Sequence, residues 1–424
     1  MADNLICAID IGSFKIASVV GVQSKDSDEL RVIGFNSVPS RGVKKGLIVD
    51  IDQVTQAVEE SVEKAERMAG HKINHAFVSI GGPHISSLNS HGVVAVSNSQ
   101  GEIVPEDIER VIEAARAISL SNTRQIIEVT PREYVVDGQP GIKNPVGMTG
   151  VRLEVDTHII TASLTNLKNI DRCLADLGIA NSGFIFSGLA SAESTLTDTE
   201  KELGVVLVDI GGGKTDISVY VEGALSYSCS IGVGARHVTN DIAVGLRVSL
   251  DSAEKIKLHL SKNMSMRRDE RVFKKETPLD LNDLMLPENV TDVSLKTLVD
   301  GIISPRLEEL FKLIFEEIEK SGYANSVPSG IVVTGGGALT VGLVEMGKKV
   351  VGLPMRLGRP AGVTGLIDEL MNPQYATTVG LILYGQRNIM RGDKTGRDFN
   401  KMLKDLSFNS QFEKVKSIIK QFIP

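Results

Sequence analysis

Short blocks of consecutive apolar residues, each closed by a polar or glycine-bearing turn, alternate along the chain with stretches of helical period. Residues 5–9 and 16–20 are the first two blocks, and the polar turn between them predicts a strand hairpin opening a domain. From 52 to 69 the period is that of a helix, with Val54, Ala57, Val58, Val62, Ala65 and Met68 on one face. Asp52 is placed to cap its start and Gly70 to stop it. Residues 76–80 form the next apolar block, a buried strand.

Between 84 and 165 the texture changes to a self-contained group. It has a strand near 93–96, a helix over 105–118 with Pro105 in its first turn, and strands near 126–136 and 151–162. This is the pattern of an inserted subdomain. A helix over 167–177 ending at Gly178 and a strand over 183–186 lead back to the first domain. A second domain opens at 205–208 and 217–221, again two strands around a polar turn. The charged stretch 238–301, which contains Met266-Arg267-Arg268-Asp269-Glu270-Arg271 and is broken by Pro278 and Pro287, predicts a smaller insertion. A helix over 304–320 and a strand over 331–333 follow. The division expected is 1–83 with 166–200 for the first lobe, 84–165 for its insertion, 201–237 with 302–390 for the second lobe and 238–301 for its insertion. A linker over 391–405 and a terminal helix over 406–424 complete the chain.

The two domain openings resemble each other. Asp10-Ile11-Gly12-Ser13-Phe14-Lys15 and Asp209-Ile210-Gly211-Gly212-Gly213-Lys214 agree at four of six positions, each between apolar strands. An α/β chain of two duplicated lobes places such turns on opposite walls of one cleft. Turns that cradle phosphate need glycines, so that backbone N–H groups can approach the oxygens, and a cation to offset their charge. Gly12 with Ser13, Phe14 and Lys15, and Gly211, Gly212 and Gly213 with Lys214 and Thr215, supply both. Asp10 and Asp209, each at a strand end, are placed to hold the waters of a magnesium ion. Thr334-Gly335-Gly336-Gly337-Ala338, directly after a strand, offers bare backbone on which a purine or its α-phosphate can lie.

Counting excludes two other nucleotide motifs. Gly213-Lys214-Thr215 mimics the end of a phosphate-binding P-loop, but the glycine required five positions earlier is Val208. A dinucleotide fingerprint opens a helix, whereas these glycines lie between strands. His71 and His75 have metal-ligand spacing but flank Gly70 and lack the intervening acid of a zinc-protease motif, so they are expected on the surface.

Size and charge narrow the partners. A chain of 424 residues with 42% hydrophobic content fills more than one core, and a net charge of -7 offers no overall footprint for nucleic acid. The start, Met1-Ala2-Asp3-Asn4, lacks the pattern of a signal peptide, and no run of 18 uncharged apolar residues occurs. Cys7, Cys173 and Cys229 are far apart and fit a reducing compartment.

The terminal segment has a helical period of its own. Phe408, Phe412, Val415, Ile418, Ile419 and Phe422 fall within an arc of about 120°, bordered by Lys414 and Lys416, with Lys420 on the polar face. Behind a polar linker this predicts a helix lying in an anionic membrane surface. Six apolar groups worth roughly 1.5 to 3 kcal/mol each when fully buried, less partial insertion and ordering, give reversible binding by one tail.

The motifs resemble those of the actin, sugar-kinase and heat-shock chaperone superfamily and, within it, the FtsA family of bacterial cell division proteins. The resemblance is carried by Ser40-Arg41-Gly42 with Lys45-Gly46, Gly141-Ile142-Lys143-Asn144-Pro145-Val146-Gly147, Phe186-Ser187-Gly188-Leu189-Ala190-Ser191, Glu202-Leu203-Gly204, the turn at 208–213, the turn at 333–337, and Val379-Gly380-Leu381 with Tyr384-Gly385. It implies an actin-like fold binding ATP and magnesium, and nucleoside contacts from Glu254 and Lys257, which on pattern alone belong to a solvated helix. It also implies filaments, a tail that targets the cytoplasmic face of the inner membrane, and binding of the tail of the tubulin-like FtsZ through the second lobe's small insertion, with Arg306 at a matching basic position. Other division proteins are expected at 84–165. Where actins and chaperones carry a Gln or Glu that orients the attacking water, this chain has Ser187, so slow hydrolysis is expected. The competing readings are a sugar or acid kinase of the same fold, for which no catalytic carboxylate is evident, and a PilM-like pilus-assembly adaptor, which would lack the basic terminal helix.

Overall fold

The computed structural model describes residues 4–24, 29–265, 281–288, 294–366 and 368–390. The chain enters as a meander of β1 (Asn4–Ile11), β2 (Lys15–Gln23) and β3 (Leu30–Pro39), all antiparallel. After a small hairpin of β4 (Val43–Lys44) and β5 (Leu47–Ile48), α1 (Ile51–Ala69) lays Val54, Ala57, Val58, Val62 and Ala65 on the sheet. Asp50, not Asp52, is its N-cap. The Asp50 backbone is extended and its carboxylate accepts the Gln53 N–H at 3.0 Å, while Asp52 lies inside the first turn, near the positive end of the helix. Gly70 ends the helix in the left-handed region at φ 68°, as the pattern predicts. β6 (His75–Ile80) then runs parallel to β1.

The group that follows has its own sheet and core. β7 (Ser86–Ala95), α2 (Pro105–Arg116), β8 (Arg124–Val136), β9 (Gln139–Ile142) and β10 (Arg152–Ser163) form a sheet of order β7-β10-β8-β9. Ile103, Val111, Ala115, Leu153 and Val155 are buried between sheet and helix. β7 is longer than residues 93–96, because its first half lies on the second lobe and carries polar side chains there. α3 (Leu164–Asp176) and β11 (Ala180–Phe186) return the chain to the first sheet, parallel to β6.

α4 (Ser187–Thr195) and α5 (Asp198–Leu203) cross to the second lobe, which repeats the opening meander as β12 (Val205–Ile210), β13 (Thr215–Val221) and β14 (Ala224–Ile231). The described part of the 238–301 stretch is more regular than its prolines predict, with α6 (Arg236–Leu246), α7 (Leu250–Ser265) and the short α8 (Leu295–Leu298). α9 (Ser304–Lys320) and β15 (Ile331–Thr334) match their predicted spans closely. α10 (Leu343–Val351), β16 (Met355–Leu357), β17 (Thr364–Gly365) and α11 (Ala376–Met390) follow. The charged run 266–271, Pro278, the 391–405 linker and the 406–424 helix lie outside the described residues.

The two sheets share one topology. The first runs β3-β2-β1-β6-β11 and the second β14-β13-β12-β15-β16, in each case an antiparallel meander continued by two parallel strands. β17 pairs with the free edge of β3, so a strand from late in the chain closes the first sheet. α4 and α11 cross between the lobes at very short range, since a Cβ on Gly380 would fall 1.7 Å from the Ala190 carbonyl oxygen.

The inserted sheet covers the open edge of β14 with polar side chains. The Ser87 hydroxyl donates to the Ser228 carbonyl at 2.6 Å and accepts the Ser228 N–H at 3.1 Å, and Asn89 Nδ2 donates to the Ser226 carbonyl at 3.3 Å. His158, buried, bridges Asn89 Oδ1 at 2.7 Å and Ser228 Oγ at 3.0 Å. Every unpaired strand group that these contacts reach is satisfied.

Candidate functional site

The paired turns at the mouth of the two meanders have the same geometry. In each, two strand-end residues face each other across four loop residues, Ile11 opposite Ile16 and Ile210 opposite Thr215. The Gly12 N–H donates to the Lys15 carbonyl at 3.0 Å, and the Gly211 N–H to the Lys214 carbonyl at 2.9 Å. The tips meet across the cleft: a Cβ on Gly212 would lie 2.8 Å from Phe14 Cβ, and one on Gly213 would lie 3.0 Å from Ser13 Cβ. Only glycine lets the second tip approach the first this closely. Among the described residues the amides of Ser13, Phe14, Gly212 and Gly213 have no hydrogen-bond acceptor, which leaves N–H groups of both lobes for an anion.

Behind each turn lies its aspartate. Asp10 accepts from Ser79 Oγ at 2.7 Å and Thr378 Oγ1 at 3.2 Å. Asp209 accepts from Thr377 Oγ1 at 2.9 Å and from the Ser191 hydroxyl. Burial, and then the neighbouring charge of Asp216, raises the Asp209 carboxyl above its ordinary range, against the pull of Lys214 and the two hydroxyls. Asp216 Oδ1 is buried without a hydrogen-bond partner. Carboxylate oxygens are the ligand type that a hydrated magnesium ion takes, but among the described residues no three acidic, histidine or cysteine side chains gather closely enough to hold a metal ion directly.

The lysines of the turns are engaged. Lys15 donates to the Gln374 carbonyl at 2.5 Å and stands 3.8 Å over the Tyr375 ring. Burial lowers its ammonium to about 8, although Asp10, Asp209 and Glu369 all hold it up. Lys214 is paired with Asp216 and donates to Ser187 Oγ at 3.0 Å. Ser187 in turn donates to the Ile80 carbonyl at 3.1 Å, so its hydroxyl is spent on the protein. The Thr215 hydroxyl is likewise committed, to the Val233 carbonyl at 2.8 Å.

The third glycine cluster closes on the second turn. Gly335 has φ 84°, and a Cβ there would lie 2.3 Å from Asp209 Oδ1; one on Gly337 would lie 2.4 Å from Ile210 Cγ2, while Gly336 has room. One turn of helix over 336–339 follows, and the full helix begins only at Leu343. α6 starts on the same glycines, its Ala235 and Arg236 amides donating to the Gly211 and Gly212 carbonyls at 2.9 and 2.8 Å. One turn along α6, Thr239 bonds both Glu254 at 2.5 Å and Lys257 at 2.9 Å, and these two pair at 2.8 Å. Lys257 is buried, so this segment is not the solvated face that its charge pattern predicts. Burial lowers the Lys257 ammonium, and Glu254 holds it up.

Arg306 stands apart, half-buried on α9, bound through two nitrogens to Asp241 at 2.5 and 3.0 Å and to Glu309 at 2.5 Å. His71 and His75 are exposed. Sequence reasoning missed Ser79, Ser191, Asp216, Thr377 and Thr378 as neighbours of the aspartates. Two of them carried a signal: Ser191 closes the 186–191 motif, and Asp216 stands two residues beyond Lys214.

A family model described as "Cell division protein FtsA" matches residues 206–380, and one described as "SHS2 domain inserted in FTSA" matches residues 82–161. The chain is 40% identical over 388 residues to the cell division protein FtsA of Pseudomonas aeruginosa, covering 90% of this chain and 89% of that one. It is 37% identical over 420 residues to that of Borreliella burgdorferi, covering 99% and 98%. Among solved structures, the PilM-PilN type IV pilus biogenesis complex aligns with a TM-score of 0.63 at 15% identity, over 90% of this chain and 98% of that one. MreB5 of Spiroplasma citri bound to AMPPNP aligns with a TM-score of 0.51 at 13% identity, over 92% and 99%. These two likenesses concern the fold alone, which is actin-like.

Proposed function

The chain belongs to the FtsA family of cell division proteins, and from this we propose that it is an ATP-binding adaptor that polymerises on the cytoplasmic face of the bacterial inner membrane and ties FtsZ to it at the division site. The observation that carries the reading is the equivalence of the two glycine turns, which offer unpartnered amides from both lobes to one anion. A ligand that touches both walls holds them in one relative orientation, and a filament needs subunits of one shape. Nucleotide thereby acts as an assembly switch.

In this reading the turns at Gly12–Lys15 and Gly211–Thr215 hold the phosphates, and Gly335, Gly336 and Gly337 with Glu254 and Lys257 hold the nucleoside. Asp10, Asp209 and Asp216 hold the magnesium waters. The metal, when bound, offsets the phosphate charge. Ser187 has neither a charge nor a free proton with which to orient and activate a water, because its hydroxyl accepts from Lys214 and donates to Ile80, and hydrolysis is slow. Among the described residues no helix is long and apolar enough to cross a membrane. Attachment falls to the basic amphipathic segment 406–424, into which the similarity to the Borreliella relative extends. Arg306 meets the acidic FtsZ tail, and the 84–165 group receives later division proteins.

The test is co-sedimentation of the full chain with anionic vesicles, with and without ATP, beside a chain lacking residues 406–424, with electron microscopy of the pellets. Membrane-bound filaments are expected only when ATP and the tail are both present, and Phe412→Glu or Ile419→Glu should leave the protein in the supernatant. Unchanged pelleting of the truncated chain, or turnover as fast as a metabolic kinase, would refute the proposal.

A further inference from the structure

Neither lysine of the duplicated turns is free to meet a phosphate, yet a third lysine lies at the same place. Lys45 forms the tip of the β4–β5 hairpin, exposed, with its backbone in the left-handed region at φ 52°. A non-glycine residue held there is strained, and such strain persists only where the surroundings dictate it. The surroundings are the two turns. On the first lobe, the Gly46 N–H donates to Ser13 Oγ at 2.9 Å, and a Cβ on Gly82 would lie 2.6 Å from the Lys45 carbonyl oxygen. A Cβ on Gly46 would lie 2.1 Å from the Gly81 carbonyl oxygen, so the hairpin is keyed into its seat by glycines on both sides.

On the second lobe, a Cβ on Gly213 would lie 3.2 Å from the Lys45 amide nitrogen, and one on Gly232 would lie 3.4 Å from its Cδ and 3.7 Å from its Nζ. Gly232 leads into the segment whose Ala235 and Arg236 amides cap the carbonyls of Gly211 and Gly212. Lys45 therefore belongs to the first lobe by sequence, while its backbone meets the second lobe's glycine turn and its ammonium the Gly232 segment that leads into α6. That ammonium has no carboxylate or carbonyl partner among the described residues. The Lys45 backbone lies at the Gly213 end of the turn, away from the Asp209 and Ile210 end on which Gly335 closes, and its ammonium lies beside Gly232.

We propose that Lys45 binds the terminal phosphate of the nucleotide, from a hairpin that spans both lobes, and so distinguishes triphosphate from diphosphate. The proposal rests on reading the cleft as a nucleotide site. A diphosphate seated on the Gly335 side reaches the turns but not the far tip, so only the last phosphate gains the ammonium.

The test is equilibrium binding of ADP and of an ATP analogue with a non-hydrolysable β–γ bridge to the full chain. Lys45→Gly removes the charge while suiting the left-handed backbone, and Lys45→Arg restores the charge. Lys45→Gly should weaken triphosphate binding about tenfold or more with ADP changed less than about twofold, and Lys45→Arg should recover most of the loss. Equal weakening of both nucleotides, or an unchanged preference, would overturn the assignment; Lys45→Asn, which also tolerates this backbone, replaces the glycine variant if that one does not fold. If the native chain binds neither nucleotide, the reading of the cleft fails first and Lys45 with it. Native binding with an unaltered Lys45→Gly preference fails Lys45 alone.

Discussion

Thr377 and Thr378, consecutive in the first turn of α11, donate to aspartates on opposite walls of the cleft, Thr377 to Asp209 at 2.9 Å and Thr378 to Asp10 at 3.2 Å. Successive residues on a helix point about 100° apart, so one turn of α11 presents a donor to each lobe. A shift of the helix toward either aspartate stretches the bond to the other. Thr377→Val should destabilise the fold by about 1–2 kcal/mol, because the buried Asp209 loses a donor, and Thr378→Val by about 0.5–1 kcal/mol at the half-buried Asp10. In a double-mutant cycle on urea unfolding the two effects should be coupled by at least about 0.5 kcal/mol. Strict additivity would mean that the lobes do not communicate through this helix.

Gly380 supports that arrangement sterically. Gly380→Ala places a methyl group against the Ala190 carbonyl and should cost at least about 2 kcal/mol by forcing α4 and α11 apart. The control is Gly301→Ala, where a Cβ meets nothing within 4 Å. That change should be neutral or stabilising by about 0.5 kcal/mol. Equal melting temperatures for the two variants would remove the helix crossing from the account.

Acid should loosen the seat of the inserted group. Burial, and then the charge of Arg132, lowers His158 to about 3, and burial with Lys214 and Arg124 lowers His84 to about 4. An unfolded histidine titrates near pH 6.5, so below that pH the unfolded chain binds the extra proton. Stability is therefore complete above about pH 6.5 and declines as pH falls toward the folded values, by up to about 2 kcal/mol per histidine at pH 5. The urea midpoint of the native chain should drop between pH 7.5 and pH 5, and His158→Gln should drop less. An identical drop would exclude His158 as a contributor.

Arg306 is not idle in the unbound chain, because Asp241 grips it through two hydrogen bonds. An acidic peptide must compete with that carboxylate. Fluorescence titration of an FtsZ-tail peptide should find Arg306→Ala weakened about tenfold and Asp241→Asn strengthened. If Asp241→Asn weakens binding as much as Arg306→Ala, the ion pair shapes the surface and Arg306 does not contact the peptide.

The architecture was legible wherever periodicity and turn chemistry agree. The duplicated Asp-Ile-Gly turns, the helix stop at Gly70 and the long α9 all follow from local rules. β3, β14 and α11 were not singled out, because their residues are chosen for neighbours distant in sequence. α11 opens with Ala376-Thr377-Thr378, which looks like an indifferent helix start until two aspartates from other elements meet it. The lysines were misjudged for the same reason. Lys15 and Lys214 have the right spacing for phosphate, but Tyr375 meets Lys15 only in the folded chain, and Asp216, although two residues from Lys214, is brought against its ammonium only by the burial of both side chains. Charge spacing likewise hid Lys257, since a period cannot tell a solvated cation from one buried against its own glutamate.

The Ser87 hydroxyl that bonds both the amide and the carbonyl of Ser228 stands in for a neighbouring strand. In the proposed filament, a naked strand border would invite indiscriminate stacking of subunits. Here Ser87, with Asn89 and His158 beside it, covers that border with hydrogen bonds instead of grease. Together they occupy backbone groups of Ser226 and Ser228 that would otherwise compete with orderly growth.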